Sequence, residues 1–200
     1  QSSSLLDFKG LTEVTGTITF TSNNMQELTM VDLKSAKFLE ILSNENLIDM
    51  SFPSLENIQH TLNISLNGHL TDISFPSLVT VENTLEISFN GNLRDIKSIK
   101  FPSLLEVNQQ LVFSNNTRFG GLINLGFPKL THLNYLFVSR NGKSTTVGRF
   151  ESLWKINTFF PGSSPDTKKG NETCESGLID IHSNETNIHR SYRAGLTVCR

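Results

Sequence analysis

The chain has 200 residues, with 17 basic and 19 acidic side chains and a formal net charge of −2. This near balance, with no block of like charge, argues against a nucleic-acid or anionic-membrane partner, since either would require a basic patch. No apolar run in the sequence approaches the roughly 18 residues that a membrane-spanning helix needs. We therefore expect no direct membrane span in this chain.

A repeat organises the chain, and it is clearest in the segment 52–67, which begins with Phe52-Pro53-Ser54-Leu55. Counting the first Phe as zero, apolar residues stand at offsets three, six, ten and twelve, and an Asn stands at offset fifteen. Copies start near residues 8, 30, 52, 75, 101, 127 and 150, at spacings of 22–26, and two of them slip by one residue within the strand. Such periods indicate a solenoid. The sequence predicts an all-β fold, a leucine-rich parallel β-solenoid of about seven turns over residues 1–160.

Each repeat predicts a short strand between two corners. The alternation Leu62-x-Ile64 is typical of a strand with one face buried. Proline at the Phe-Pro corner fixes φ and donates no hydrogen bond, which suits the start of a strand. The pairs Asn67-Gly68 and Asn90-Gly91 are turn residues that tolerate positive φ. Stacked turns then pair each strand with its equivalent one turn later.

An asparagine recurs at the second corner of each turn, and two interpretations are open. The column can form an internal ladder, in which each side-chain amide binds corner backbone groups of its neighbours, or it can simply supply turn φ values. The column contains Asn23, Asn44, Asn67, Asn90, Asn116 and Asn141.

Residues 161–200 form a separate tail, beginning with a linker rich in Pro, Gly and Ser. We predict short strands around Leu178 and Leu196. The two cysteines of the chain, Cys174 and Cys199, lie in this tail, and a disulfide bridge between them is the simplest reading for a secreted chain. A metal site or free thiols remain alternatives, although the nearby histidines match no zinc spacing.

Four sequons, at Asn63, Asn115, Asn171 and Asn184, suggest N-glycosylation at exposed positions. The chain begins Gln1-Ser2-Ser3-Ser4, and we interpret it as a mature chain whose signal peptide has been removed. Together with the predicted disulfide, the sequons favour the secretory pathway and an extracellular or cell-surface location.

The pattern Phe-Pro-x-Leu-x-x-Val/Ile followed by Leu-x-Ile-x-x-Asn-x-x-Leu resembles the receptor L domain, and is similar to the repeats of fungal-type cell-wall glycoproteins. The resemblance covers residues 8 to about 160 and implies a right-handed, leucine-rich-repeat-like β-helix. Receptor L domains commonly carry cysteines at their ends, whereas here no cysteine precedes residue 174. For function the resemblance implies little, because solenoids are scaffolds.

The sequence contains no phosphate loop, nucleophile elbow, His-Glu-x-x-His motif or cysteine cluster, so we expect no enzymatic activity, cofactor or metal. Glu40 and Glu86 are expected on one outward column, two turns and roughly 10 Å apart. Two interpretations are open, the paired carboxylates of an inverting glycosidase and solvated charges on the outer face. Outward threonines and serines raise the alternative of an ice-binding face. An outward apolar cluster, Val112, Tyr135 and Phe137, is expected either to bind a partner or to be covered by the tail.

The functional expectation is an extracellular structural or adhesive glycoprotein that self-associates end to end, head to tail, as a filament. The first turn lacks a recognisable polar cap, so its strand edges would be unpaired and available to another chain. A heterologous contact of this kind generates an open filament. The alternative is the ectodomain of a cell-surface receptor that binds a protein or glycan ligand.

Overall fold

The computed structural model describes residues 8–22, 24–90, 98–116, 123–139, 146–149, 155–161, 175–180 and 193–198, with side chains for 8–22, 24–90, 99–116 and 127–137. All regular structure in these residues is β-strand. The strands are β1 Glu13–Thr21, β2 Glu27–Thr29, β3 Ser35–Leu42, β4 Asp49–Ser51, β5 Asn57–Ser65, β6 Asp72–Ser74, β7 Thr80–Val81, β8 Thr84–Ser88, β9 Ser98–Lys100, β10 Glu106–Ser114, β11 Ile123–Gly126, β12 His132–Ser139, β13 Thr146–Arg149, β14 Lys155–Pro161, β15 Glu175–Asp180 and β16 Arg193–Val198.

One sheet, sheet A, contains the longer strand of every repeat. Its order is β1-β3-β5-β7/β8-β10-β12-β14, and its pairings are all parallel. Equivalent positions of the repeat are in register, so that Ile18, Leu39 and Leu62 are successive partners. The prediction that each strand pairs with its equivalent one turn later is confirmed.

The one-residue slip in two of the repeats has a structural basis. Register shifts occur between Val14 and Thr17, between Ala36 and Phe38, and between Val107 and Gln110. A repeat with one residue fewer at this point lies beside repeats that carry the extra residue, and the bulge absorbs the difference. The inward columns therefore stay aligned on both sides of the bulge.

The second sheet, sheet B, contains the short strands in the order β16-β15-β13-β11-β9-β6-β4-β2. Its strands are parallel from β2 to β15, and β15 and β16 then form an antiparallel pair. The short strands predicted in the tail are these two. The described tail residues thus extend sheet B.

The core lies between the two sheets and consists of inward aliphatic side chains and one aromatic column. Phe52 and Phe75 stack with ring centroids 5.1 Å apart and an interplanar angle of 4°. The column continues to Phe101 and Phe127, both at 5.4 Å. These four rings are essentially inaccessible to solvent. The Phe-Pro corner therefore supplies a continuous stack along the axis of the solenoid.

The described residues form a parallel β-solenoid of about five turns. The predicted all-β, parallel solenoid fold is therefore confirmed. The predicted number of about seven turns is not supported, because the described residues account for about five. Cys174 and Cys199 lie outside the described residues, and so does the predicted disulfide.

Candidate functional site

A ladder of buried asparagines runs along the corner that follows each strand of sheet A. In three members, Asn67, Asn90 and Asn116, the Oδ1 accepts a hydrogen bond from the backbone N–H of the asparagine one turn earlier, at 2.8–3.0 Å. Each Nδ2 donates to a backbone carbonyl of the preceding turn, at 2.8–3.1 Å. The fully buried members are Asn44, Asn67, Asn90 and Asn116. The side chains satisfy corner backbone groups that a buried turn would otherwise leave unpaired.

The positive φ angles of this corner lie one residue before each asparagine. Ser22, Ser43, Leu66, Phe89 and Asn115 have φ between 48° and 62°. The alternative that the column asparagines simply supply turn φ values is therefore wrong for Asn67 and Asn90, because the residue before each of them adopts the positive φ. Leu66 and Phe89 adopt it although left-handed φ is unfavourable for bulky side chains, and both are about half exposed, at 51% and 52%.

The N-terminal end of the ladder has an unsatisfied acceptor. Asn44 is fully buried, its Nδ2 binds the carbonyl of Phe20 at 3.0 Å, and its Oδ1 has no hydrogen-bond partner. Its counterpart one turn later, Asn67 Oδ1, accepts from Asn44 N at 3.0 Å. The remaining predicted members, Asn23 and Asn141, lie outside the described residues.

The outward columns of sheet A follow the predicted register but differ in exposure. Ser65, Ser88 and Ser114 are buried, at 6%, 1% and 4% exposure, which removes them from a solvent-facing hydroxyl array. The Ser88 hydroxyl donates to Glu86 Oε1 at 2.6 Å, and Ser65 donates to Asn63 Oδ1. Longer side chains two residues earlier in the same strand therefore bind the serine hydroxyls.

Glu40, Asn63 and Glu86 are successive register partners on one outward column. Glu40 accepts a hydrogen bond from the Thr19 hydroxyl at 3.1 Å, and Glu86 accepts from Ser88. Asn63 separates the two carboxylates, so no second carboxylate stands in the adjacent register position of either. This column therefore holds two hydrogen-bonded carboxylates that are two turns apart.

Two of the four sequon asparagines lie in the described residues. Asn63 lies in β5, two residues before the strand ends, and Asn115 lies at a corner with φ of 55°; both are partly buried rather than fully exposed. Asn115 Nδ2 donates to the Ser114 hydroxyl at 3.3 Å. Asn171 and Asn184 lie outside the described residues.

An open apolar concavity of about 510 Å³ lies on the outward face of sheet A, on β10 and β12. Its lining consists of Gln110, Val112, Tyr135 and Phe137, which include all three residues of the cluster anticipated from the sequence. Gln110 pairs with Tyr135 in register, and Val112 pairs with Phe137. Tyr135 is 38% exposed, so none of the described residues covers its ring completely.

Sequence reasoning missed an acidic column on the outward face of sheet B. Glu27, Asp49 and Asp72 are successive register partners, and they line a concavity of about 320 Å³ with the hydroxyls of neighbouring residues. Asp49 Oδ1 accepts a hydrogen bond from the Thr71 hydroxyl at 3.2 Å. The alternation of the short strands contained the signal, since aligning them at the repeat spacing places these carboxylates in one column.

The first turn differs from the others in how it is covered. Val14 and Ile18 are only partly buried, whereas their register partners Ala36 and Leu39 are at 0% exposure, and Leu11 before the strand is 37% exposed. Within the described residues β1 pairs with β3 alone, so one backbone edge of β1 is unpaired. A strand edge of this kind can accept another strand.

In the described part of the chain, no group of three or more His, Cys, Asp or Glu side chains could hold a metal ion. The same residues include no helix long and apolar enough to cross a membrane.

The candidate functional surfaces of the described residues are thus an open strand edge, an apolar concavity and an acidic column. Comparison with models of known protein families, with curated proteins and with solved structures finds no match for this chain.

Proposed function

We propose that this chain is an extracellular, non-enzymatic glycoprotein with a structural or adhesive role, and that it self-associates through the ends of its solenoid. The observation that carries this proposal is the incomplete cover of the first turn. Ile18 is partly buried, whereas Leu39 and Leu62, its partners in the next two turns, are at 0% exposure. Covering such side chains with a neighbouring molecule removes apolar surface from water.

The unpaired backbone of β1 adds directional attraction to that apolar driving force. Strand addition satisfies peptide groups along the whole edge, as in other proteins that recognise partners by β-augmentation. The strand β1 is nine residues long and contains no proline, and its only charged residue is Glu13. It lacks the charges and prolines that commonly protect exposed edges from association.

The extracellular assignment rests on the sequons and on the two cysteines of the tail. A bridge between Cys174 and Cys199 would close a loop of about 25 residues and add about 3 kcal/mol to the free energy of unfolding. Peptide mapping without reductant tests the bridge, and mass spectrometry of Asn63, Asn115, Asn171 and Asn184 tests the glycans. Seven turns, right-handed coiling and a receptor-L-domain-like origin belong to the same proposal.

Sedimentation of the secreted, glycosylated chain over a wide concentration range tests self-association. We expect the mean mass to rise with concentration, and we expect substitution of Ile18 by Lys to shift the rise to higher concentration. Tyr135→Lys is the matched control, because it places the same charge on a surface far from the first turn. A concentration-independent monomer would disprove the proposed self-association.

A second function, ligand binding by a receptor ectodomain, is favoured by the apolar concavity on β10 and β12. Exposed apolar patches bordered by polar residues commonly mark interaction sites. Here Val112, Tyr135 and Phe137 form the apolar part, and Gln110 contributes an amide. Screening of glycans and secreted proteins with the wild-type chain and with Tyr135→Ala distinguishes this function, because only specific binding is lost in the variant.

A further inference from the structure

The two ends of the described solenoid are not equivalent, and the difference decides how copies can join. At the C-terminal end of sheet B, the parallel order stops with the antiparallel pair β15 and β16. A parallel coil of a second copy cannot continue from an antiparallel strand in the register of the repeat. The described tail strands thus terminate the repeat in this sheet.

The last described strand of sheet A, β14, ends in a proline that cannot donate a hydrogen bond to a further strand. Pro161 lies at the end of β14 and is the register partner of Val138, in the column that begins with Phe20. Earlier members of this column direct their carbonyls toward the following turn, as the bonds from the ladder asparagines to Phe20, Ile41, Ile64 and Ile87 show. Since N–H and C=O of one residue lie on the same side of a strand, Pro161 lacks a donor at the far edge of the sheet.

The same alternation identifies the free groups at the N-terminal edge. Asn44 Nδ2 binds the Phe20 carbonyl, so Phe20 faces β3. Its neighbours Thr19 and Thr21 therefore direct their N–H and C=O groups to the opposite side, which is the unpaired edge of β1 in the described structure. Thr17, two residues before Thr19, faces the same way.

We propose that two copies of this chain join head to head through β1, which forms an antiparallel pair with β1 of the second copy around a two-fold axis at Thr19. This proposal rests on the proposed self-association and specifies its geometry. Each Thr19 faces its equivalent, and Thr17 faces Thr21 of the other copy. Ile18 of each copy then lies opposite Phe20 of the other on the inward face, which covers the partly buried first turn.

The charge distribution of the edge fits pairing with itself. Residues Thr17 to Thr21 contain no charged side chain, so the two-fold pairing places no like charges opposite each other. Contact between identical surfaces is closed, and association stops at the dimer. The head-to-tail filament expected from the sequence would require an accepting C-terminal edge, and Pro161 and the β15–β16 pair disfavour one.

The test uses the full chain and a proline substitution that removes one edge donor. Thr19→Pro deletes an N–H that faces away from β3, so the fold is retained, which circular dichroism and the urea midpoint check. Thr19→Val is the matched control, because it keeps the N–H and removes only the hydroxyl bound to Glu40. We expect the wild type and Thr19→Val to reach dimer mass and no higher, and Thr19→Pro to stay monomeric at concentrations at least tenfold above the wild-type midpoint.

Cysteine cross-linking provides a second readout that does not depend on the proline variant. Residues facing each other in a hydrogen-bonded antiparallel pair have Cα atoms about 5.5 Å apart, which a disulfide can span. Thr19→Cys should therefore give a covalent dimer under mild oxidation, whereas Glu86→Cys, on the same outward column in a central turn, should not. Masses beyond the dimer, or dimerisation unchanged in Thr19→Pro, would overturn the head-to-head contact alone. A wild type that remains monomeric would overturn it together with the proposed self-association.

Discussion

The first turn and the central turns have the same sequence pattern but differ in how completely their inward side chains are buried. Leu39 and Leu62 have a strand on each side and are at 0% exposure, whereas Ile18 has a neighbour on one side in the described structure and is only partly buried. The aromatic residues show the same contrast. Phe75 stacks between two parallel rings, while Phe8 meets Phe20 edge to face at 87°.

This difference shows that the pattern within one repeat supplies only part of the stability of a solenoid. The remainder comes from interfaces between adjacent turns. An identical side chain therefore contributes more to the free energy of unfolding in a central turn than in an end turn. An end turn with incomplete interfaces is also the place where a second molecule gains most by binding.

Truncation of inward leucines gives the largest expected effect and tests the contrast directly. We expect Leu62→Ala to lower the free energy of unfolding by about 3–5 kcal/mol, because the cavity is enclosed on both sides. Ile18→Ala should cost about 1–2 kcal/mol at protein concentrations where the chain is monomeric, since part of its surface already meets water. Urea unfolding followed by circular dichroism measures both. Equal losses at the two sites would contradict the dependence on neighbouring turns.

Two members of the asparagine ladder, Asn67 and Asn44, make different sets of hydrogen bonds, so their substitution by alanine should cost different amounts of stability. Asn67→Ala removes the acceptor of Asn44 N and the donor to the Ile41 carbonyl, and we expect a loss of about 2–4 kcal/mol from the buried groups left unpaired. Asn44→Ala removes the amide donor of the Phe20 carbonyl, whereas Asn67 Oδ1 loses Asn44 Nδ2 but keeps Asn44 N as a donor, and Asn44 Oδ1 is already unsatisfied. Its expected loss is about 1–2 kcal/mol. A larger loss for Asn44 than for Asn67 would show that the order of the ladder bonds has been misjudged.

The aromatic side chains allow a comparison of two Phe→Leu substitutions with a smaller expected effect. Phe75→Leu removes two stacking contacts at 5.1 and 5.4 Å, and we expect a loss of about 1–2 kcal/mol beyond the change in buried area. Phe8→Leu removes one edge-to-face contact on a partly buried ring and should cost less than about 1 kcal/mol. Thermal unfolding of the two variants under identical conditions gives the ranking. A greater sensitivity at Phe8 would indicate that this ring covers the first turn.

The sequence was sufficient for the repeat and its register because inward aliphatic residues at fixed offsets permit few other arrangements. Ile58, Leu62 and Ile64 are buried at the predicted positions, and the one-residue slip near Lys37 is a bulge. The burial of Ser65 and Ser88 could not be read from alternation, because it depends on hydrogen bonds from outward serines to longer neighbouring side chains. Nor could the pairing of β15 with β13, which depends on contacts between segments joined by a long connection.

The positions of positive φ were also beyond the sequence pattern. Asparagine and glycine are the residues that favour left-handed φ, yet Leu66 and Phe89 adopt it, and the asparagine stands one position later. The reason is geometric, since the asparagine must point inward to reach two neighbouring turns, and the step before it achieves this. The left-handed φ at Leu66 and Phe89 is therefore unfavourable for these side chains, and the stacking of the turns holds the backbone in that conformation.

The smallest expected effect is a gain in stability from a substitution at this corner. It distinguishes backbone strain from side-chain packing. Leu66→Gly should raise the free energy of unfolding by up to about 1 kcal/mol, because glycine adopts the 62° φ without steric cost and the leucine side chain is 51% exposed. Leu66→Ala is the control, since it removes the same apolar contacts and keeps the unfavourable φ, so it should give no gain. If glycine and alanine destabilise the chain equally, the Leu66 side chain contributes packing to the corner that outweighs its backbone strain. In that case the half-exposed side chains of Leu66 and Phe89 would contribute to the packing between adjacent central turns.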